Sequence, residues 1–97
     1  MHARVTTFEI RPGKWEALAE DRGVSEQLDM KHGFKGLYFL QDRETRKAIN
    51  ITLWETEEDM KATEASGWYR EALGVWEDTF ASPPVTKHYE VGAVQRV

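Results

Sequence analysis

The stretch "AINITLW", residues 48–54, places one amide side chain, Asn50, among apolar residues and a threonine. Strand alternation sends Ile49, Ile51 and Leu53 to one face and Ala48, Asn50, Thr52 and Trp54 to the other. A buried amide without partners costs on the order of 1–3 kcal/mol, so Asn50 is either satisfied internally or looks into a wet or ligand-filled cavity. Trp54 would stand about 13 Å along the strand from Asn50 at ~3.3 Å per residue. The two can line one elongated pocket, in which an amide can hydrogen-bond a ligand oxygen and an indole can stack on a flat ring. The alternative is an asparagine bonded to nearby backbone and a tryptophan that is core or interface mass.

Other groups extend that chemistry. Arg70, in "WYREAL", is placed by helical periodicity between the stripe of Tyr69 and Leu73 and open solvent, so it either reaches a pocket mouth to stabilise a phenolate or pairs with glutamates in water. His88 can take a proton near neutral pH, or is a half-exposed strand residue. Trp68, Tyr69, Trp76 and Phe80 read first as helix-to-sheet packing and second as pocket lining, with Trp68 placed after the "SG" break where an entrance can sit. Glu57, Glu58 and Asp59 complement a helix dipole, and no pair of carboxylates has acid–base spacing. His2, His32 and His88 show no metal-ligand spacing, so no metal or other cofactor is expected.

Composition limits the function classes. A formal net charge of -4 leaves no basic excess for a nucleic-acid or anionic-membrane partner. The absence of cysteine removes disulfides, thiolate catalysis and zinc–thiolate sites. No window approaches the ~18 apolar residues of a membrane span, and the first residues carry no apolar leader, so a soluble cytoplasmic protein is expected. Residues 1–97 form one domain, too short for two cores.

The elements that must position these groups follow from periodicity and punctuation. Ala3 to Ile10 reads as a strand ended by "RPG", followed by a helix with a kink or break near Gly23 and a cap at Gly33. "LYFLQ" and "AINITLW" form an antiparallel hairpin around "DRETRK". Thr56 caps a short helix to about Glu64. After Ser66 and Gly67 the stripe of Tyr69, Leu73, Trp76 and Phe80 predicts a second stretch of helix ended by "SPP", and Val85 to Val94 makes the last strand. The order βαββαβ is that of a ferredoxin-like α+β fold, an antiparallel sheet with helices on one face. The other face is too apolar for water on the hairpin strands, and a second copy of the sheet is its economical cover, so a homodimer is expected.

With "RPGK" after strand one, "HGFKGL" entering strand two and "INITLWETEEDMKA" joining strand three to the next helix, the chain resembles the antibiotic biosynthesis monooxygenase-like family of the dimeric α/β-barrel superfamily. The resemblance covers nearly all of residues 3 to 92. Within that family the cofactor-independent anthrone-type monooxygenases are similar at the asparagine four residues before the tryptophan ending strand three, here Asn50 and Trp54, and at the arginine of Arg-Glu-Ala-Leu, here Arg70. Those enzymes place a tyrosine six residues after the tryptophan, where this chain departs from the pattern with Met60. The haem-degrading branch is unlike this chain, because its ligand histidine, pocket tryptophan and strand-one asparagine fall near Leu73, Thr63 and Thr6.

The resemblance implies oxidation of a small aromatic or quinol-like compound by molecular oxygen without a cofactor. It implies Asn50, Trp54 and Arg70 as catalytic residues, and Trp68, Met60, Tyr69 and His88 are expected as substrate contacts. A non-catalytic dimer of the same fold that binds a small apolar ligand is the competing reading.

Overall fold

The computed structural model describes residues 1–20 and 22–96. Strands β1 (His2–Glu9), β2 (Phe34–Asp42), β3 (Lys47–Trp54) and β4 (Val85–Glu90) form one antiparallel sheet in the order β2-β3-β1-β4. The ferredoxin-like βαββαβ order is present, with each helical connection divided in two. Helices α1 (Trp15–Ala19) and α2 (Val24–Asp29) follow β1, and α3 (Glu57–Ala65) and α4 (Trp68–Gly74) follow β3.

Both divisions have the same cause. Gly23 and Gly67 each precede the second helix of a pair at φ 84°, a left-handed conformation that a Cβ disfavours. Thr56 caps α3 as its sequence predicts, its Oγ1 accepting from Asp59 N at 3.1 Å. The stripe through Phe80 overstated the last helix. It stops at Gly74, a 3₁₀ turn occupies Glu77–Thr79, and Phe80 enters the core through an extended bridge to Ile10. The final strand also ends earlier than its alternation suggests, at Glu90.

Register decides which side chains share the helix-covered face. Thr6 lies opposite Asn50 and Arg4 opposite Thr52 across β1 and β3. Phe39 and Leu37 continue those rows on β2, and Thr86 and His88 on β4. The core beneath the helices is in two parts. Phe8, Ile10, Ala48 and Phe80 pack at one end, with Phe8 and Phe80 stacked at 5.0 Å, and Leu28, Trp54 and Met60 pack at the other. Between them the sheet presents Arg4, Thr6, Asn50 and Thr52, a polar belt where a continuous apolar layer would ordinarily lie. On the opposite face Tyr38, Leu40, Val85 and Tyr89 are exposed.

Candidate functional site

Over the polar belt the helices stand off from the sheet and enclose a cavity of about 470 Å³. Its floor comes from alternate residues of three strands, among them Arg4, Asn50 and Phe39, and its walls from α1, α2 and α4, including Leu28, Trp68 and Tyr69. Most of the lining is apolar. The chemistry is confined to a few polar groups, as small-molecule sites generally are.

Asn50 lies in the floor and makes no side-chain hydrogen bond to any described residue. Of the two readings of its amide, the cavity is the one found, and strand alternation is what points it there. Thr6, its cross-strand neighbour, is engaged elsewhere: its hydroxyl bonds Tyr69 Oη, which also bonds Thr86 Oγ1 at 2.7 Å. Tyr69 and Trp68 both line the cavity. Trp68 is held at its rim by Nε1 donating to Gln27 Oε1 at 2.8 Å and by Lys31 Nζ, 4.8 Å from its ring centre.

The other sequence-predicted residues stand elsewhere. Trp54 shares the inward face with Asn50 but is fully buried, its Nε1 donating to Thr52 Oγ1 at 2.9 Å and its ring edge-on to Phe34 at 5.5 Å. It supports the cavity floor through Thr52. Met60 is likewise fully buried against Trp54 and Leu28. Arg70 is exposed on α4 and lies outside the cavity lining, since its neighbours Tyr69 and Ala72 take the inward side of the helix. His88 also lies outside it, on β4, where its Nε2 meets both carboxylate oxygens of Glu64 at 3.0 and 2.8 Å. Among the described residues, no three His, Cys, Asp or Glu side chains gather as a metal site.

One charged cavity group escaped the sequence reading. Arg4, 2% exposed, contributes its guanidinium to the polar belt. Its Nη1 donates to Thr63 Oγ1 at 2.7 Å, to Met60 O at 3.4 Å and to Glu64 Oε2 at 3.3 Å, and its Cζ lies 3.8 Å from the Tyr69 ring centre. Burial pushes its pKa down, opposed by its electrostatic interactions with Tyr69 and Glu64, and an arginine so placed still carries its proton. The signal for Arg4 was the same alternation that singled out Asn50, applied to "ARVTTF". Trp76, read from the sequence as packing first and pocket lining second, forms part of the cavity wall, and its buried Nε1 has no acceptor among the described residues.

No protein-family model matches the sequence, and no curated protein matches it. Solved structures do. A Nitrosomonas europaea protein provisionally named an antibiotic biosynthesis monooxygenase superposes with a TM-score of 0.77 at 20% identity, over 96% of this chain and 100% of that one. A Streptomyces coelicolor monooxygenase in complex with the ligand nanaomycin D gives 0.71 at 24% identity, over 99% and 92% of the two chains. A variant of SnoaB, a cofactor-independent oxygenase from Streptomyces nogalater, gives 0.74 at 13% identity, over 96% and 94%. Among the described residues no helix is long and apolar enough to cross a membrane. The family resemblance carried by the sequence is therefore supported at the level of fold: the chain has the ferredoxin-like fold of the antibiotic biosynthesis monooxygenase structures.

Proposed function

We propose that the protein is a cofactor-independent monooxygenase that oxidises a small aromatic or quinol-like compound with molecular oxygen inside this cavity. The observation that carries the reading is the Asn50 amide, unbonded to described protein groups and set in the floor of an apolar cavity. The fold shared with a cofactor-independent oxygenase and with a monooxygenase holding the ligand nanaomycin D raises it above simple ligand binding.

Such chemistry needs a substrate that can itself supply electrons. For a ring methylene beside a phenol or ketone, loss of a proton gives an enolate that passes an electron to oxygen, and the two radicals combine as a peroxide on carbon. Loss of the second carbon-bound hydrogen as a proton, with cleavage of the O–O bond, leaves a ring carbonyl and one water. Oxygen takes four electrons and the methylene loses four. The protein contributes orientation, exclusion of water and stabilisation of the developing oxyanion. Asn50 donates to that oxygen, Trp68, Phe39 and Leu73 hold the flat ring, and Trp76 Nε1 gains the acceptor it lacks from a second ligand oxygen. Arg70 and His88 act on this site only if they move from their places in the structure, and Trp54 and Met60 act on it through packing.

The homodimer belongs to this reading too. Tyr38, Leu40, Val85 and Tyr89 form an apolar patch on the uncovered sheet face, and a second copy of that face would bury it.

Oxygen uptake by metal-stripped protein against a panel of anthrones, hydroquinones and polyphenols tests the function. Uptake by the wild type that falls about tenfold or more in Asn50→Ala supports it, corresponding to ~1.4 kcal/mol of transition-state stabilisation. Binding of the same compounds without uptake favours the ligand-binding reading.

A further inference from the structure

The cavity is apolar apart from its belt, yet that belt contains a buried cation. Arg4 is on β1, directly across from Thr52 and therefore diagonal to Asn50, about 7 Å away by sheet geometry. Its orientation is fixed on two sides, by the Tyr69 ring at 3.8 Å and the Trp54 ring at 5.4 Å. Among the described residues its hydrogen bonds all leave from Nη1, toward α3, which keeps the donors of Nε and Nη2 for other partners.

The counter-ion is shared. Glu64 touches Arg4 through one oxygen at 3.3 Å but offers both oxygens to His88, the closer at 2.8 Å. Glu64 lies outside the cavity lining, and among the described residues the one carboxylate within that lining is Glu20, exposed at the end of α1. A buried cation whose counter-charge meets one of its nitrogens and is shared with His88 keeps donors that a ligand anion can fill. The cavity lining also contains no histidine, and its one phenol, Tyr69, is engaged by Thr6 and Thr86. Among the described lining residues the one group left to take a proton from a neutral phenol is Glu20, exposed at the end of α1. A ligand that arrives ionised, or ionises against Arg4, removes that requirement.

We propose that this cavity selects an anionic aromatic ligand, whose ionised oxygen, as phenolate, enolate or carboxylate, is held by Arg4 while its apolar remainder runs toward Phe8, Phe80 and Trp76. The proposal rests on the cavity being the substrate site and names the charge class that the site accepts. Arg4 is its specificity-determining residue.

The test is binding, measured calorimetrically with two rings of equal shape, 2-naphthoate and 2-naphthamide, neither of which is a substrate for oxygenation. The wild type is expected to bind the anion about tenfold or more tightly than the amide, a difference of the size one charge-assisted contact makes. Arg4→Met should erase the preference while retaining the amide's affinity, and Arg4→Lys should keep part of it. Equal affinities in the wild type, a preference that survives Arg4→Met, or binding of neither ring would each overturn the proposal. Should Arg4→Met not fold, the wild type alone decides: 4-nitro-1-naphthol bound in the cavity must show its phenol pKa lowered in an absorbance titration, and an unchanged or raised value overturns the assignment. Anion preference without oxygen uptake on any substrate would leave Arg4's role standing and remove the oxygenase reading, so the two fail separately.

Discussion

The Arg4 guanidinium carbon lies 3.8 Å from the centre of the Tyr69 ring, and the Tyr69 hydroxyl is bonded in turn to Thr6 and Thr86. One tyrosine on α4 thus ties together β1 and β4 and holds a buried cation flat beside the cavity. Tyr69→Phe separates these tasks, because it keeps the ring and leaves the Thr6 and Thr86 hydroxyls without that partner. Its expected cost is about 1–3 kcal/mol. Each kcal/mol should lower Tm by roughly 4–8 °C in a domain of this size. Calorimetry checks the loss, and 2-naphthoate affinity should fall far less than in Arg4→Met.

Asn50 presents the opposite balance. Its amide bonds no described residue, so Asn50→Ala should change folding free energy by no more than about 0.5 kcal/mol. Turnover should still drop about tenfold or more. Chemical denaturation and oxygen uptake on one preparation check both, and a destabilisation of several kcal/mol would return Asn50 to a structural role.

Far from the cavity, His32 Nδ1 lies 2.8 Å from Asp59 Oδ1 at the start of α3. The hydrogen bond with Asp59, then its charge, raises the His32 pKa above its ordinary 6.5, and the same bond, followed by Thr56, lowers that of Asp59. The raised histidine contributes stability that is complete below 6.5 and is lost as pH rises through its folded value. The lowered carboxylate contributes stability present above its ordinary value of 3.8 and lost as pH falls through its folded value. Proton NMR should therefore find His32 titrating above 6.5 in the wild type and close to it in Asp59→Asn.

The uncovered sheet face yields a prediction about assembly. Leu40 is 49% exposed between Tyr38 and the half-buried Ile49 row, so Leu40→Glu would put a charge into any sheet-to-sheet contact. Sedimentation should find dimers in the wild type and monomers in the variant, with far-UV circular dichroism unchanged. A wild-type monomer at micromolar concentration would remove the expected dimer.

Much of this was readable from periodicity. Alternation along β3 put Asn50 and Trp54 on one face, and Thr56, Gly23 and Gly67 marked helix boundaries that the structure contains. Alternation does not say how far along a strand the helices press. At the Trp54 end α2 and α3 close onto the sheet and bury the indole, whereas near Asn50 they stand away. Arg4 was obscured for another reason. Its partners, Thr63, Glu64 and Tyr69, come from helices some sixty residues later, and only the packing of α3 and α4 on the sheet brings them together. Trp76 and Phe80 fit a helical stripe because both pack against the core, although the helix ends at Gly74 and other geometry brings them inward.

The fate of molecular oxygen bears most directly on the central claim. With a substrate identified by uptake, turnover by metal-stripped protein under ¹⁸O₂ should place one labelled atom in the product carbonyl and the other in water, at one oxygen consumed per product. Product formed without label, or oxygen recovered as hydrogen peroxide, would contradict a monooxygenase.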